Sequence, residues 1–258
     1  MTDMNKLLAA LLLQLIAFAT FAAPTCAGTS GAQTTALVEL YTSEGCSSCP
    51  PADKWLSALP GPNLSLRQAV PIALHVHYWD YIGWKDPFAQ PLFAERQRWL
   101  VSANNRRTSY TPHFFVSGAE VYDQGGKLDA TIRLINSQPA RADIEIRSDA
   151  SRPDVLAIHA NASARVTNRP LQLFLAVTES QLVTAVKAGE NRGATLHHAN
   201  VARKWIGPLP LVGNKIDTVQ EVTLDAGWVR KNLKVTGFVQ DSRNGEVLQA
   251  LALENCAS

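Results

Sequence analysis

The chain has 258 residues, of which 46% are apolar, so it is long and apolar enough to bury the core of one large domain or two modest ones. Its formal net charge is only +2, and it contains neither a run of basic residues nor an acidic tail. This balance gives no support to binding of nucleic acid or of a membrane surface.

The first 23 residues have the pattern of a signal peptide. Lys6 precedes an apolar run over 7–18, and small residues then surround Thr20-Phe21-Ala22, which fits a signal-peptidase site. The run is short for a membrane span, and an uncleaved anchor is the alternative. We therefore expect residues 1–23 to be removed and the mature protein to be periplasmic or secreted, with no stable membrane insertion after cleavage.

A Cys-x-x-Cys pair follows the first predicted strand. Residues 24–34 are rich in Thr, Gly and Ser and predict a linker, whereas 35–41 are β-branched and apolar and predict a buried strand. The apolar positions 52, 55, 56 and 59 share one face of a helix. A helix N-terminus stabilises a thiolate, so we expect Cys46 to attack a partner and Cys49 to resolve the mixed disulfide.

Two prolines after the pair restrict where this helix begins. Pro50 disfavours helical geometry at Cys49, and neither Pro50 nor Pro51 carries an N–H donor. We expect the helix to begin near Ser48, with Ser47 or Ser48 as its cap.

Further strands and helices are predicted before residue 139. The segment 70–78 is apolar and predicts a second strand, parallel to the first because a helix connects them. Asp86-Pro87 predicts the cap and first residue of a helix that ends near Asn104. Then follow a strand at 113–116, a hairpin at Ser117-Gly118 and a helix containing Leu128, Ile132 and Ile135. This order predicts an α/β domain.

Three motifs lie in residues 35–138. They are Leu40-Tyr41-Thr42-Ser43-Glu44-Gly45-Cys46-Ser47-Ser48-Cys49-Pro50-Pro51-Ala52-Asp53, Tyr78-Trp79-Asp80-Tyr81-Ile82-Gly83-Trp84-Lys85-Asp86-Pro87-Phe88 and Tyr110-Thr111-Pro112. Together they resemble a family of secreted bacterial proteins, domain-of-unknown-function family 1223, in the thioredoxin-like superfamily. The resemblance implies a thioredoxin-like fold but no activity.

The same resemblance implies roles for residues that face the cysteine pair. In the superfamily a cis-proline faces the pair, and Thr111 with Pro112 matches this element as a substrate-binding segment. His113 follows the proline and is a possible tuning residue for the thiolate. The sequence departs from the family pattern at His77 and at His113.

Residues 139–258 alternate between apolar and polar positions, as strands do. Predicted strands are 141–148, 155–162, 171–179, 233–241 and 247–253. Asn244-Gly245 between the last two predicts a tight hairpin. We therefore expect an antiparallel β-sandwich domain after the α/β domain. A polar segment interrupts it, either a second polar site or, as we favour, a solvated loop; it includes Glu190, Asn191, Arg192, His197 and His198.

The four cysteines predict two disulfides in an exported protein. Cys46 and Cys49 are close enough to pair locally. Cys26 and Cys256 remain, one near each end of the mature chain, and chain ends often lie close together. We therefore expect a structural disulfide between Cys26 and Cys256.

The Cys46–Cys49 pair has three interpretations. We favour a thiol–disulfide oxidoreductase, or a redox partner, that acts on protein thiols without a cofactor. Because no histidine lies between the cysteines, we expect a moderate potential. A copper-type metal-binding protein is the alternative, with His75 and His77, which share one face of their strand, completing the ligand set. The third interpretation is a non-catalytic interaction protein with an inert disulfide.

Overall fold

The computed structural model describes residues 26–62, 64–122, 126–254 and 256, and the predicted signal peptide lies outside them. The strands are β1 Cys26–Thr29, β2 Ala36–Thr42, β3 Ala69–His75, β4 His113–Val116, β5 Ala119–Val121, β6 Ala142–Asp149, β7 Val155–Ala164, β8 Leu171–Glu179, β9 Leu182–Ala185, β10 Thr195–His198, β11 Val201–Pro210, β12 Lys215–Thr223, β13 Leu233–Asp241 and β14 Val247–Glu254. The helices are α1 Pro50–Ser57, α2 Pro91–Ala103 and α3 Lys127–Asn136, and 3-10 turns cover His77–Ile82 and Arg230–Asn232.

Eight strands form one mixed sheet in the order β14-β13-β8-β11-β3-β2-β4-β5. β2 and β3 are parallel, with Leu40 opposite Ala73. The far edge of β3 pairs in parallel with the start of β11, where Val201 lies opposite Ala73 and the N–H of Ala73 donates to the carbonyl of Asn200. Strands from both sides of residue 139 therefore belong to the same sheet.

This topology shows that the predicted fold class, an α/β thioredoxin-like domain followed by an antiparallel β-sandwich, is wrong. The described chain is mostly β-structure, and β8, β11, β13 and β14 extend the sheet that begins with β2 and β3. The physical reason is the free edge of β3. Its backbone N–H and C=O groups need partners, and β11 provides them from more than 120 positions later in the chain.

The remaining strands form a four-stranded antiparallel sheet and a short hairpin. The four-stranded sheet has the order β1-β6-β7-β12, and the hairpin pairs β9 with β10. The strand β1 lies within the segment predicted to be a linker, and its four residues pair with β6. In the part of the chain that the structure describes, no helix has the length and apolar character needed to cross a membrane.

Alternate residues of β8 enter two different cores. Leu173 and Leu175 pack with residues of the four-stranded sheet such as Ile144 and Ile158. Phe174 and Ala176, which point the other way, share a core with residues of α2 such as Phe93. This period of two explains why the middle of β8, residues 173–177, is apolar at every position: both of its faces are buried.

A buried ion pair links α2 to two strands of the large sheet. Arg96 makes a bidentate contact with Glu39 of β2, at 2.6 Å from Nε to Oε1 and 3.1 Å from Nη2 to Oε2. Its remaining amino group donates to Gln240 of β13, at 3.1 Å. The guanidinium lies 4.8 Å from the ring centre of Trp205 and 5.2 Å from that of Phe238. The charge is therefore both neutralised and enclosed by aromatic rings.

The two ends of the described chain are joined by the disulfide between Cys26 and Cys256, the pairing that the sequence predicts. Their Cα atoms are 4.9 Å apart although 230 positions separate them in sequence. Cys26 opens β1, and Cys256 follows β14 and is buried in the core between the sheets. The bridge therefore connects an edge of the four-stranded sheet to an edge of the eight-stranded one.

Candidate functional site

Cys46 and Cys49 form a disulfide in the turn between β2 and α1, with their Cα atoms 5.5 Å apart. Both residues are fully buried. The carbonyl of Cys49 accepts the N–H groups of Ala52 and Asp53, at 2.9 and 3.0 Å, so Cys49 is the residue on which the helix begins. The pair thus lies at the N-terminus of α1, as the sequence predicts.

The predicted cap of α1 is wrong in detail. The helix starts at Pro50, its N-cap is Cys49, and no side chain caps it. Cys49 adopts helical angles, with φ −78° and ψ −36°, although a proline follows. The two prolines occupy the first two helical positions, where an N–H would have no partner within the helix. Because proline has no N–H, these positions leave fewer free donors for a serine side chain to cap.

Glu44, two residues before Cys46, connects three segments of the chain. Its carboxylate is fully buried, accepts the indole N–H of Trp84 at 2.8 Å and lies 3.0 Å from Nε2 of His198. Its backbone N–H donates to Oδ2 of Asp86 at 2.8 Å. These contacts fix the chain just before the cysteine pair, and the sequence did not single out Glu44 or Asp86 as functional residues.

Asp86 is a buried acceptor and not the cap of a helix. Its Oδ2 lies 2.7 Å from Nδ1 of His75, and its Oδ1 accepts the N–H of Phe88 at 2.9 Å. The chain makes only a turn after Asp86, because Gln90 is extended and its N–H donates to the carbonyl of His75 at 3.1 Å, so α2 begins later, at Pro91. The prediction of a helix from Pro87 is therefore wrong.

For both His75 and Asp86, burial and the charge of the partner shift the pKa in opposite directions. Burial alone would lower the pKa of His75, but the charge and hydrogen bond of Asp86 outweigh it and raise that pKa. Burial alone would raise the pKa of Asp86, whereas the charge and hydrogen bond of His75 lower it. Asp53 lies in the same buried cluster, where it accepts from the hydroxyl of Thr42 at 3.0 Å and burial raises its pKa.

We expect Asp86→Asn to destabilise the protein mainly between about pH 4 and pH 6.5. Because folding lowers the pKa of Asp86, its ionised carboxylate stabilises the protein at pH values above the pKa that it has in the unfolded chain. This stability is lost as the pH falls through the pKa of Asp86 in the folded protein. Because folding raises the pKa of His75, its protonated imidazole stabilises the protein at pH values below the pKa that it has in the unfolded chain. This stability is lost as the pH rises through the pKa of His75 in the folded protein.

Unfolding by urea at a series of pH values measures this effect. We expect a loss of about 3 kcal/mol at pH 5.5, because His75 loses its buried partner, and a smaller loss at pH 9. Asp217→Asn, on the exposed side of β12, is the control and should change little. A loss that does not vary with pH would contradict the ion-pair interpretation.

The polar segment after β9 contacts the cysteine pair directly. Oε2 of Glu190 accepts the N–H of Ser47 at 3.0 Å, and this bond lowers the pKa of Glu190. Nδ2 of Asn191 donates to the carbonyls of Glu44 and Cys46, at 2.8 and 2.9 Å. We expected a solvated loop here, and the segment instead covers the turn that carries the disulfide.

A groove of about 290 Å³ borders this turn at Ser48. Its lining residues come from the turn and α1 and from the segments around β4 and β5: Ser48, Pro51, Ala52, Tyr110, Pro112, Phe114, Val121 and Tyr122. The Thr111–Pro112 peptide bond is cis, as the resemblance implied. The hydroxyl of Thr111 accepts the indole N–H of Trp79 at 2.7 Å, which holds this segment in place.

His113 directly follows the cis-proline, as predicted, whereas the predicted shared strand face of His75 and His77 is wrong. His113 is buried, which lowers its pKa, and its ring nitrogens contact Gln97 at 3.2 Å and Glu120 at 2.8 Å. His75 ends β3 whereas His77 opens a 3-10 turn, so the two do not share a strand face. Among the described residues, no three His, Cys, Asp or Glu side chains are arranged to hold a metal ion.

Comparison with known proteins identifies a family and a fold. The family model described as "Protein of unknown function (DUF1223)" matches residues 37–240. None of the curated proteins matches the chain. The structure is similar to HBP35 of Porphyromonas gingivalis, with a TM-score of 0.66 at 16% identity over 86% of this chain and 76% of that one. It is also similar to a structural-genomics target from Agrobacterium tumefaciens, with a TM-score of 0.62 at 23% identity over 88% of this chain and 96% of that one.

Proposed function

We propose that this chain, which belongs to the DUF1223 family of proteins of unknown function, carries out thiol–disulfide exchange with protein partners outside the cytoplasm. Family membership assigns no activity, so the proposal rests on the site. The observation that carries the proposal is the position of the Cys46–Cys49 disulfide at the N-terminus of α1, beside the groove. A helix N-terminus favours the thiolate form, which is the form that reacts.

The proposed step uses the two cysteines in different roles. In the reduced protein the Cys46 thiolate attacks a partner disulfide, so that a Cys46–partner bond forms and one partner thiolate leaves. Cys49 then attacks Sγ of Cys46, the Cys46–Cys49 bond forms again and the second partner thiolate leaves. The partner gains two electrons and two protons, and the protein loses them.

The groove supports a peptide as the partner. Tyr110 stacks on Tyr122 with ring centres 6.1 Å apart, and Tyr122 is half exposed. Aromatic rings at the edge of a groove suit the side chains of an extended polypeptide. Since both cysteines are buried, reaction requires the turn at Ser47 and Ser48, whose residues are exposed, to move outward.

The location of the protein is part of the proposal. The signal-like first 23 residues and the two disulfides support export to an oxidising compartment such as the periplasm. Export is tested separately by mass spectrometry of the protein isolated from the producing cell, because removal of residues 1–23 changes the mass of its N-terminal peptide.

Trapping of mixed disulfides tests the activity. Reduced Cys49→Ser protein mixed with native, disulfide-bonded insulin should accumulate a mixed disulfide through Cys46, because no second thiol is left to resolve it. Cys46→Ser should trap at least tenfold less, because Cys49 directly precedes the helix, three residues after Cys46, and we expect it to be the less exposed of the two thiols once the turn opens. Non-reducing mass spectrometry after acid quenching measures both.

Two results would count against the proposal. If neither variant traps insulin, the disulfide is structural. If both variants trap equally, the assignment of attacking and resolving cysteines is wrong. Cys26→Ala/Cys256→Ala combined with Cys49→Ser serves as the control for mixed disulfides formed away from the site, because it removes both thiols of the terminal bridge.

A further inference from the structure

We propose that Glu190 and Asn191 are positioning residues that stabilise the Cys46–Cys49 disulfide relative to the dithiol, which lowers the reduction potential of the pair and favours transfer of electrons to partner disulfides. This inference deepens the proposed function and rests on it. It concerns the direction of electron flow, which the two cysteines alone do not determine.

Asn191 restrains the turn from outside its own segment. One amide group holds two carbonyls that flank Gly45, those of Glu44 and Cys46. When the disulfide is reduced, a free turn gains conformational freedom, and this gain favours the dithiol. A turn held by Asn191 gains less, so the two sulfurs stay close and reform their bond readily. The restraint therefore favours the disulfide.

Glu190 acts on the reduced form through its charge. Its carboxylate takes the N–H of Ser47, which lies between the two cysteines and in front of the helix. That donor is then less available to a sulfur anion, and the negative charge of Glu190 opposes a second negative charge nearby. A thiolate that is less stabilised makes the reduced state less favourable and lowers the reduction potential.

The segment that carries the two residues is itself anchored, so the restraint is effective. His198, at the end of β10, contacts the buried Glu44 at 3.0 Å. Gly189 has φ +75° and approaches Ile82 and Trp84 so closely that a Cβ would lie 3.2 Å from Cδ1 of Ile82. Only glycine fits this backbone conformation without strain, and the segment is thereby held against the 3-10 turn.

The redox equilibrium with glutathione tests the inference without any protein partner. In that reaction two glutathione thiols are oxidised to glutathione disulfide while the Cys46–Cys49 bond is broken and its sulfurs take up the two protons. The Cys46 thiol then ionises to the extent that its pKa sets, which is where the charge of Glu190 acts. Asn191→Ala should raise the equilibrium constant for reduction at least tenfold, which is about 30 mV in potential. Glu190→Gln keeps an acceptor for Ser47 and removes the charge, and should raise the constant about threefold and lower the pKa of the Cys46 thiol.

Matched variants on the four-stranded sheet give the controls. Asn161→Ala and Glu221→Gln are exposed on β7 and β12 and should leave the constant unchanged. The Cys26–Cys256 bond, followed in the same samples by alkylation and mass spectrometry, should show the same equilibrium in every variant.

The outcomes separate this inference from the proposed function. An unchanged constant in both Asn191→Ala and Glu190→Gln, or a shift toward the disulfide, overturns the inference even if the wild type reduces insulin. A shift toward the dithiol supports it, and wild-type protein that then fails to exchange with insulin overturns only the proposed function. A change in melting temperature with no change in potential assigns Asn191 a purely structural role and also overturns the inference.

Discussion

Arg96→Met is expected to lower the free energy of unfolding by about 3–5 kcal/mol. The substitution leaves the carboxylate of Glu39, which is fully buried, without its cationic partner. Methionine fills much of the volume of the arginine stem, so the loss reports mainly on charge and hydrogen bonding. Urea unfolding at pH 7, followed by far-ultraviolet circular dichroism, measures it.

Two further variants make the cause specific. Arg98→Met lies on the exposed side of the same helix and should change the free energy by less than about 0.5 kcal/mol. The double variant Glu39→Gln/Arg96→Met has no buried charge and should recover part of the loss. If the double variant is as unstable as Arg96→Met alone, packing and not the unpaired carboxylate explains the effect.

Replacing both Cys26 and Cys256 with alanine is expected to cost about 5 kcal/mol in the chain-entropy model. The bridge closes a loop across a separation of 230 residues, and its loss restores that freedom to the unfolded chain. Replacing Cys46 and Cys49 instead opens a loop with a separation of only three residues, for which the same model gives about 2 kcal/mol. Non-reducing urea unfolding of the two double variants provides the comparison.

A larger loss from the 46/49 pair than from the terminal pair would contradict this order. It would mean that the turn before α1 and its buried cluster contribute more to stability than the closure of the chain. The temperature of unfolding, measured by calorimetry at the same pH, gives an independent check of the ranking.

Local patterns in the sequence identified most individual elements. The strand and helix around the cysteines, the hairpin at Ser117-Gly118 and the helix containing Ile132 occur where they were expected. Asn244-Gly245 does join two antiparallel strands, β13 and β14. These signals are encoded within a few residues of one another, through periodicity and turn chemistry, so they are readable without knowledge of the fold.

The fold class was wrong because the deciding contact is distant in sequence. Nothing near Ala73 indicates that Val201 lies beside it, and a sheet edge at β3 is compatible with several neighbours. The prediction ended the first domain at residue 138 because the pattern of apolar and polar residues changes there. That change marks the transition from helices to strands and not the end of the sheet.

The candidate site was recognised in part for the same reason. Cys46, Cys49 and Pro112 carry local motifs, whereas Asn191 reaches Cys46 across 145 positions. Glu44 and Asp86 do lie within the quoted motifs, and their presence there was the one available signal. A polar residue in an irregular segment shows its role only when the carbonyls it binds are known.

The bridge between Cys26 and Cys256 also sets an order of events during synthesis. A ribosome adds about 5–20 residues per second, so the partner of Cys26 appears about 10–50 s after Cys26 itself. For most of that interval the growing chain carries three thiols, those of Cys26, Cys46 and Cys49. The segment that covers the turn is synthesised only late in the interval, and the last strand at its end. A chain oxidised as it emerges can pair Cys26 with Cys46 or Cys49 before Cys256 exists, whereas a chain oxidised after completion has all four sulfurs in place. The yield of correctly bridged protein should therefore depend on when oxidant reaches the nascent chain.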